Sequence, residues 1–128
     1  MSDPGTDARA DPSRLLGRDY WLILSTPRPG VEASDIQQHL QDHVAWLLGL
    51  ERSGILFLSG PLLSGPGVGP GSGVSILRAA DEAQASSIAD QDPFVLAGLR
   101  TYAVHHWRLN EGSVSVRLSL GTGSYTWE

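Results

Sequence analysis

The sequence predicts a small α+β domain in which helices alternate with strands, followed by a strand extension. Three observations support this fold class. One long segment has helical spacing of its apolar residues, several short aliphatic and aromatic runs end at glycine or proline, and these segments follow the order β-α-β-β-α-β. The length of 128 residues fits one domain. So small a domain has a modest core, so we expect contacts with a second copy to add to its burial.

The first strand and first helix are marked by clear boundaries. The aromatic and aliphatic run from Tyr20 to Leu24 predicts a strand that stops at a Pro- and Gly-containing loop. Ser34 can then cap a helix, with Gln37 completing a capping box. We expect this helix to run to about Ser53, with Gly54 as its stop.

A histidine lies on the apolar face of this predicted helix. At about 100° per residue, His43 falls inside the apolar stripe, His39 lies at its edge, and Asp42 points toward solvent. An unpaired buried polar group costs about 1–3 kcal/mol, so the sequence predicts a hydrogen-bond partner for His43. The stripe itself consists of Ile36, Leu40, Val44, Leu47 and Leu48.

The second strand, Ile55 to Ser59, leads into a loop over residues 60–73 that is rich in glycine and proline. Its alternating glycines are also found in phosphate-binding loops. However, no Lys-Ser or Lys-Thr pair follows, and the next segment reads as a strand rather than a helix. The composition therefore favours a flexible lid or an edge connection.

The remaining segments complete the ferredoxin-like order with a C-terminal strand extension. We expect a mobile N-terminal arm over residues 1–17 and a single domain over residues 18–128. The later elements are predicted as a strand from Gly73 to Arg78, a helix from Asp81 to about Asp90, and strands from Thr101 to Leu109, Val114 to Leu120 and Tyr125 to Trp127.

Asp92 falls just past the second predicted helix, directly before Pro93. If the fold brings it to His43, the two side chains form a candidate acid–base pair. Two structural readings stand beside this one. His43 can be a core histidine that has satisfied its hydrogen bonds, and Asp92 can cap a turn through its side chain. Asp90 is a weaker alternative partner for the histidine.

These motifs together resemble the YCII-related family, whose members are small ferredoxin-like proteins that dimerise as α+β barrels. The resemblance spans roughly Tyr20 to Trp107. It depends on a helix histidine, a strand ending in Gly-Pro and a turn containing Asp-Pro-Phe, which here are His43-Val44-Ala45-Trp46-Leu47, Gly54 to Pro61, and Asp90 to Phe94 followed by Ala97-Gly98-Leu99. The resemblance implies that His43 and Asp92 form the active-site pair.

Proton-transfer chemistry is the activity expected of such a pair. A neutral imidazole can take or give a proton near pH 7, and a carboxylate on its other nitrogen fixes the tautomer. We therefore expect a cofactor-independent isomerase or lyase acting on a small cyclic or carbonyl-containing metabolite. The resemblance implies similar chemistry, since one branch of the family includes a dehydrochlorinase and muconolactone isomerases share the general fold. A non-catalytic dimeric binding or accessory domain is the alternative.

Four further residues are candidates for substrate binding: His39, Trp46, Ser59 and Gly60. His39 and His43 have the i, i+4 spacing of zinc ligands. The glutamate that a zincin carries after its first histidine is missing, and no third ligand is evident, so we predict no metal.

Charge and composition exclude several partners. The net charge of -5 argues against nucleic acid, which needs clustered lysine and arginine. No apolar run approaches the roughly 18 residues that span a membrane, and the N-terminal residues do not read as a secretory signal. The absence of cysteine excludes disulfides and fits a cytoplasmic protein. We expect a small-molecule ligand and a homodimer.

Overall fold

A computed structural model describes residues 10–128, which form two compact units. One unit is Asp19–Arg108, and the other contains Leu109–Glu128 and the described residues that precede Asp19. The strands are β1 (Arg18–Pro27), β2 (Leu56–Pro61), β3 (Gly73–Leu77), β4 (Arg100–Leu109), β5 (Val116–Ser119) and β6 (Ser124–Trp127). The α-helices are α1 (Ala33–Arg52), α2 (Glu82–Ala89) and α3 (Pro93–Leu96).

The first unit has the predicted ferredoxin-like topology. Its sheet has the strand order β2-β3-β1-β4, and β3 runs antiparallel to both of its neighbours. Because β2 and β1 are separated by β3, the connection through α1 crosses over one strand, as the β-α-β-β-α-β order requires. The α+β fold class is therefore confirmed, and each predicted strand is present with slightly shifted ends.

The apolar core lies between this sheet and α2. Alternate residues of a strand point to opposite faces, so Ile23 of β1 and Leu77 of β3 face the helix while their neighbours face away. Ala85 and Ala89, one helical turn apart on α2, pack against them and are almost completely buried. Small side chains on this helix let it pack closely against the sheet, and α3, which follows it, contacts α1.

The start of α1 differs from the prediction. The N-cap residue is Glu32, whose backbone N–H donates to Asp35 Oδ2 at 2.9 Å, so Ser34 lies within the first turn and the predicted Ser34–Gln37 capping box is wrong. Both pairs have the three-residue spacing of a capping box, and a carboxylate near the helix N-terminus is also favoured by the helix dipole. At the other end, Gly54 has φ +79° and follows the helix as predicted.

The second predicted helix is followed by a turn of helix that the sequence did not suggest. Asp81 caps α2 by accepting a hydrogen bond from Gln84 N at 2.8 Å. Pro93 does not continue α2, but it occupies the first position of α3, where its missing N–H costs nothing. Asp92 is the N-cap of α3 and therefore has a fixed backbone position.

The second unit contains the C-terminal hairpin, in which β5 and β6 pair antiparallel. Asp11 caps a short 3-10 helix at Pro12–Arg14 through Ser13 N. The predicted arm also includes residues 1–9, which lie outside the described residues, so its mobility stays a prediction, as does the single domain over residues 18–128. None of the helices within residues 10–128 is long and apolar enough to cross a membrane.

Candidate active site

The predicted acid–base pair is close in space. His43 Nδ1 lies 2.8 Å from Asp92 Oδ1, although the two residues are 49 positions apart in the chain. Both side chains are nearly inaccessible to solvent, with 11% of His43 and 4% of Asp92 exposed. His43 is on α1 and Asp92 caps α3, so the packing of these two helices brings the pair together. Because an ionised carboxylate can only accept, Nδ1 carries the proton and Nε2 is left as an acceptor.

Asp92 is held by three donors. Besides His43, Phe94 N donates to Oδ1 at 2.9 Å and Arg100 Nη2 donates to Oδ2 at 2.5 Å. Burial alone would raise the pKa of Asp92. The hydrogen bond from His43, the charge of Arg100 and the Phe94 N–H together outweigh burial and lower this pKa. Asp92 is therefore a stable carboxylate beside the imidazole. We call His43, Asp92 and Arg100 the buried triad.

Arg100 was not identified from the sequence. It is the first residue of β4, and only 6% of its side chain is exposed. Its Nη1 donates to the carbonyl oxygen of Gly71 at 2.9 Å, so one guanidinium bridges Asp92 and the loop before β3. Burial lowers the pKa of Arg100, and the charge of Asp92 opposes this effect. A single arginine at a strand start carries no pattern that predicts burial, so spacing could not have revealed it.

Phe94 forms an aromatic support for the buried triad. Its ring stacks on His43 with centroids 4.2 Å apart and an interplanar angle of 20°. The Arg100 guanidinium lies 5.0 Å from the centroid of the same ring. A cation near an aromatic face is attracted to its quadrupole, and a stacked ring restricts rotation of its neighbour. Phe94 therefore helps to fix both basic side chains that flank Asp92.

A cavity of about 550 Å³ borders the buried triad, with His43 and Arg100 in its wall. Most of the remaining wall is apolar. Four of the five stripe residues on α1 line this cavity, all except Leu48, and Leu40 and Val44 keep 37% and 42% exposure. In α1 only His43 is buried. A pocket of this size with an apolar wall and few polar groups is typical of small-molecule sites.

The Gly/Pro loop forms the opposite wall of the cavity. Its residues from Leu62 to Ser72 join β2 to β3, and Gly69 N donates to Ser72 Oγ at 3.0 Å within the loop. Gly71 has φ +87°, and a Cβ there would lie 2.6 Å from Ile36 Cδ1 on α1. The loop is thus an edge connection that also shapes the pocket.

The other sequence candidates separate into two groups. Ser59 and Gly60 line the cavity. Trp46 and His39 do not belong to its wall. Trp46 borders a much smaller hollow, with its ring 6.0 Å from that of His43, and His39 is half-buried on α1. Asp90, the alternative partner for His43, instead accepts a hydrogen bond from Tyr102 Oη. Within residues 10–128 there is no group of three or more His, Asp or Glu residues that could hold a metal.

Two comparisons with known proteins found matches to this chain. Residues 20–108 match the family model of the YCII-related domain. The chain is also similar to the solved structure of a 5-chloro-2-hydroxyhydroquinone dehydrochlorinase from Burkholderia phenoliruptrix in complex with 2,5-dihydroxybenzoquinone. The two share 27% sequence identity with a TM-score of 0.57, over 69% of this chain and 92% of the other. No curated protein matches the sequence.

Proposed function

The chain belongs to the YCII-related family, and we propose that it is a cofactor-independent enzyme that transfers protons on a small cyclic or carbonyl-containing molecule. In this proposal His43 takes and returns the proton, and Asp92 orients the imidazole. The observation that carries the proposal is the 2.8 Å contact between these side chains at the edge of a cavity of about 550 Å³. The similarity to a dehydrochlorinase supports a small-molecule enzyme.

The chemistry follows from the charges of the buried triad. With a neutral imidazole, the Asp92 carboxylate and the Arg100 guanidinium balance each other. When His43 Nε2 removes a proton from the carbon beside a carbonyl, the substrate becomes an enolate and the buried triad gains one positive charge. Asp92 stabilises the imidazolium, and the new positive charge stabilises the enolate.

Two outcomes are open to this enolate. Return of the proton from His43 to another carbon completes an isomerisation. Departure of a leaving group with the electron pair, such as chloride, completes an elimination, and the imidazolium then loses its proton to water. Both outcomes use the same first step, so an assay of proton abstraction tests the proposal without knowledge of the natural substrate.

Ser59 and Gly60 are the residues we propose to contact the substrate, because both line the cavity. The Ser59 hydroxyl is a donor and acceptor on an otherwise apolar strand end, suited to a carbonyl or ring hydroxyl. The apolar wall suits the body of a ring. Trp46 and His39 were predicted for the same role from the sequence, and their places outside the cavity wall leave them without direct support.

Solvent-deuterium exchange tests the proposed function. The protein is incubated in D₂O with a panel of cyclic ketones, lactones and hydroxyquinones, and deuterium incorporation is followed by NMR. Chloride release from 5-chloro-2-hydroxyhydroquinone is measured in parallel. We expect His43→Gln to slow the reaction by about 100- to 10,000-fold, the range of general acid–base catalysis.

His106→Gln is the matched control, because His106 is an exposed histidine on β4 whose side chain contacts Asp19. It should leave the rate unchanged. If wild type and His43→Gln exchange deuterium at the same rate on a substrate that turns over, the assignment of His43 is wrong. If ligands bind but none exchanges, the domain is a non-catalytic binding module.

A homodimer is part of the proposal. The sheet face opposite α2 carries Leu24, which pairs with Val74, and Leu58, which pairs with Ile76. Leu24 and Leu58 are 37% and 45% exposed in the single chain. A contiguous apolar patch on a sheet is typical of an interface, and two such faces can pack against each other.

Sedimentation measures the oligomeric state directly. We expect a dimer for the wild type and a monomer for Leu24→Asp, because a charge on the patch would be desolvated in the interface. Leu96→Asp, at an exposed leucine of α3, should remain dimeric. A wild-type protein that sediments only as a monomer contradicts the proposed dimer.

A further inference from the structure

We propose that Arg100 is a positioning residue that fixes Asp92 against His43 and joins this pair to the cavity wall through Gly71. The inference deepens the proposed function and rests on it for its effect on turnover. Its geometric part concerns the orientation of three side chains and can be tested without a substrate.

The two carboxylate oxygens of Asp92 accept hydrogen bonds from different donors. Oδ1 accepts from both His43 Nδ1 and Phe94 N, whereas Oδ2 accepts from Arg100 Nη2. A carboxylate held on one oxygen alone can rotate about its χ2 angle. Because Arg100 holds the second oxygen at 2.5 Å, the plane of the carboxylate is fixed and Oδ1 stays directed at the imidazole.

The Arg100 guanidinium donates hydrogen bonds to two different acceptors. Nη2 reaches Asp92 and Nη1 reaches the Gly71 carbonyl at 2.9 Å. The guanidinium is planar, so its two terminal nitrogens move together, and a displacement of the loop at Gly71 must displace the group that holds Asp92. A lysine would supply the charge but not this rigid fork, which explains an arginine at this position.

The Arg100 guanidinium also contacts the ring of Phe94. The guanidinium lies 5.0 Å from the centroid of this ring, and His43 stacks on the same ring with centroids 4.2 Å apart. Arg100 therefore reaches the histidine by two routes, through the carboxylate and through the aromatic ring. Its own charge is buried, with 6% of the side chain exposed, so no solvent competes for the fork.

The test compares Arg100→Met and Arg100→Lys with Arg108→Met and Arg108→Lys. Arg108 is the matched control, because it lies on β4 like Arg100 and its Nε donates to the exposed carboxylate of Asp19 at 2.8 Å. The first readout is ring ¹⁵N NMR of His43, which distinguishes the Nδ1–H from the Nε2–H tautomer. We expect a single Nδ1–H tautomer in the wild type and both Arg108 variants, and a mixture of tautomers in both Arg100 variants.

The second readout is the rate of deuterium exchange on any substrate found for the wild type. Both Arg100 variants should lower kcat by about 100-fold, the cost of a small misplacement of reacting groups, with a smaller change in KM. Arg100→Lys retains the positive charge, so a loss of kcat in this variant is due to the missing guanidinium geometry and not to the missing charge. The same variant also provides the test if Arg100→Met does not fold.

The outcomes separate this inference from the proposed function. A tautomer mixture in the Arg100 variants with no wild-type exchange on any substrate supports the positioning role and contradicts the enzyme. Wild-type exchange with unchanged tautomer and unchanged kcat in a folded Arg100 variant overturns the positioning role and leaves the enzyme intact.

Discussion

Two clusters in this protein contain the same three residue types, one buried and one at the surface. The buried triad joins α1, α3 and β4. The surface cluster, Asp19, His106 and Arg108, joins the ends of β1 and β4, with Asp19 Oδ1 lying 2.8 Å from Arg108 Nε and 3.3 Å from His106 Nε2. Side-chain exposure is 4–11% in the first cluster and 48–59% in the second.

The comparison shows that solvent, and not residue type, decides what such a cluster can do. At the surface, water replaces any partner that is lost and screens the charges, so exposed ion pairs contribute little. In the interior, each charge depends on its partners, and the imidazole has one fixed acceptor and lies in the wall of a cavity. His106 instead stacks on Trp21 with centroids 4.5 Å apart and lies in the wall of neither cavity described above.

The largest expected difference between the clusters is the cost of removing the carboxylate. Asp92→Ala leaves Arg100 buried without its counter-ion and His43 without an acceptor, and it also removes the cap of α3. We expect a loss of about 3–5 kcal/mol in the free energy of unfolding, the range for breaking a buried ion pair. Urea denaturation monitored by tryptophan fluorescence measures it.

Asp19→Ala is the matched substitution in the surface cluster, and we expect no measurable loss of stability from it. Asp92→Asn retains an oxygen for Phe94 N and should fall between the two. Equal losses for Asp92→Ala and Asp19→Ala would contradict the view that burial separates the clusters.

The next prediction concerns the stability of the folded protein at low pH. The pKa of Asp92 is lowered in the folded protein, so the unfolded state binds the proton more readily than the folded state. The stabilisation is fully present above the unfolded value of about 4 and is lost as the pH falls through the lower, folded value. We therefore expect the free energy of unfolding to drop below about pH 4.

Asp92→Asn tests this assignment, since it removes the titrating group and should flatten the drop. The pKa of Asp19 is also lowered, first by the hydrogen bond from Arg108, but its position at the surface predicts that Asp19→Asn leaves the acid dependence nearly intact. An acid transition that is identical in wild type and Asp92→Asn would assign the drop to other carboxylates.

Much of the buried cluster could be predicted from the sequence, and the reason for the rest is physical. Helical spacing placed His43 on the inner face of α1, and the Asp-Pro turn placed Asp92 at an element boundary, so local patterns identified both residues. Arg100 depends on contacts with Gly71 and Asp92, 29 and 8 positions away. No local pattern encodes such contacts, and arginine is usually exposed.

The same limit applies to the apolar stripe of α1, because the sequence did not predict what this stripe contacts. Its spacing correctly predicted a helix with one apolar face, because periodicity reports which residues share a side. Periodicity does not report what that side meets. Leu40 and Val44 face a cavity walled by the Gly/Pro loop, and the position of that loop depends on glycine conformations and on Arg100.

The smallest expected effect is a loss of stability from a substitution in this loop. The buried triad contacts the loop through Arg100 and Gly71, and the surface cluster has no such contact. Gly71→Ala places a Cβ 2.6 Å from Ile36 Cδ1 and forces a side chain onto φ +87°. Gly67→Ala in the same loop has a similar φ of +74° with nothing within 4 Å of its Cβ. Both should lose about 1–2 kcal/mol from the left-handed backbone.

Gly71→Ala should lose about 1 kcal/mol more, because the contact with Ile36 overpacks the wall. The Ile36 methyl group can shift, which keeps this difference small. Only Gly71→Ala should also disturb the His43 tautomer, because the carbonyl that Arg100 binds belongs to Gly71. Equal stability losses with an unchanged tautomer in both variants would mean that the loop and the buried triad are independent, and that burial alone distinguishes the two clusters.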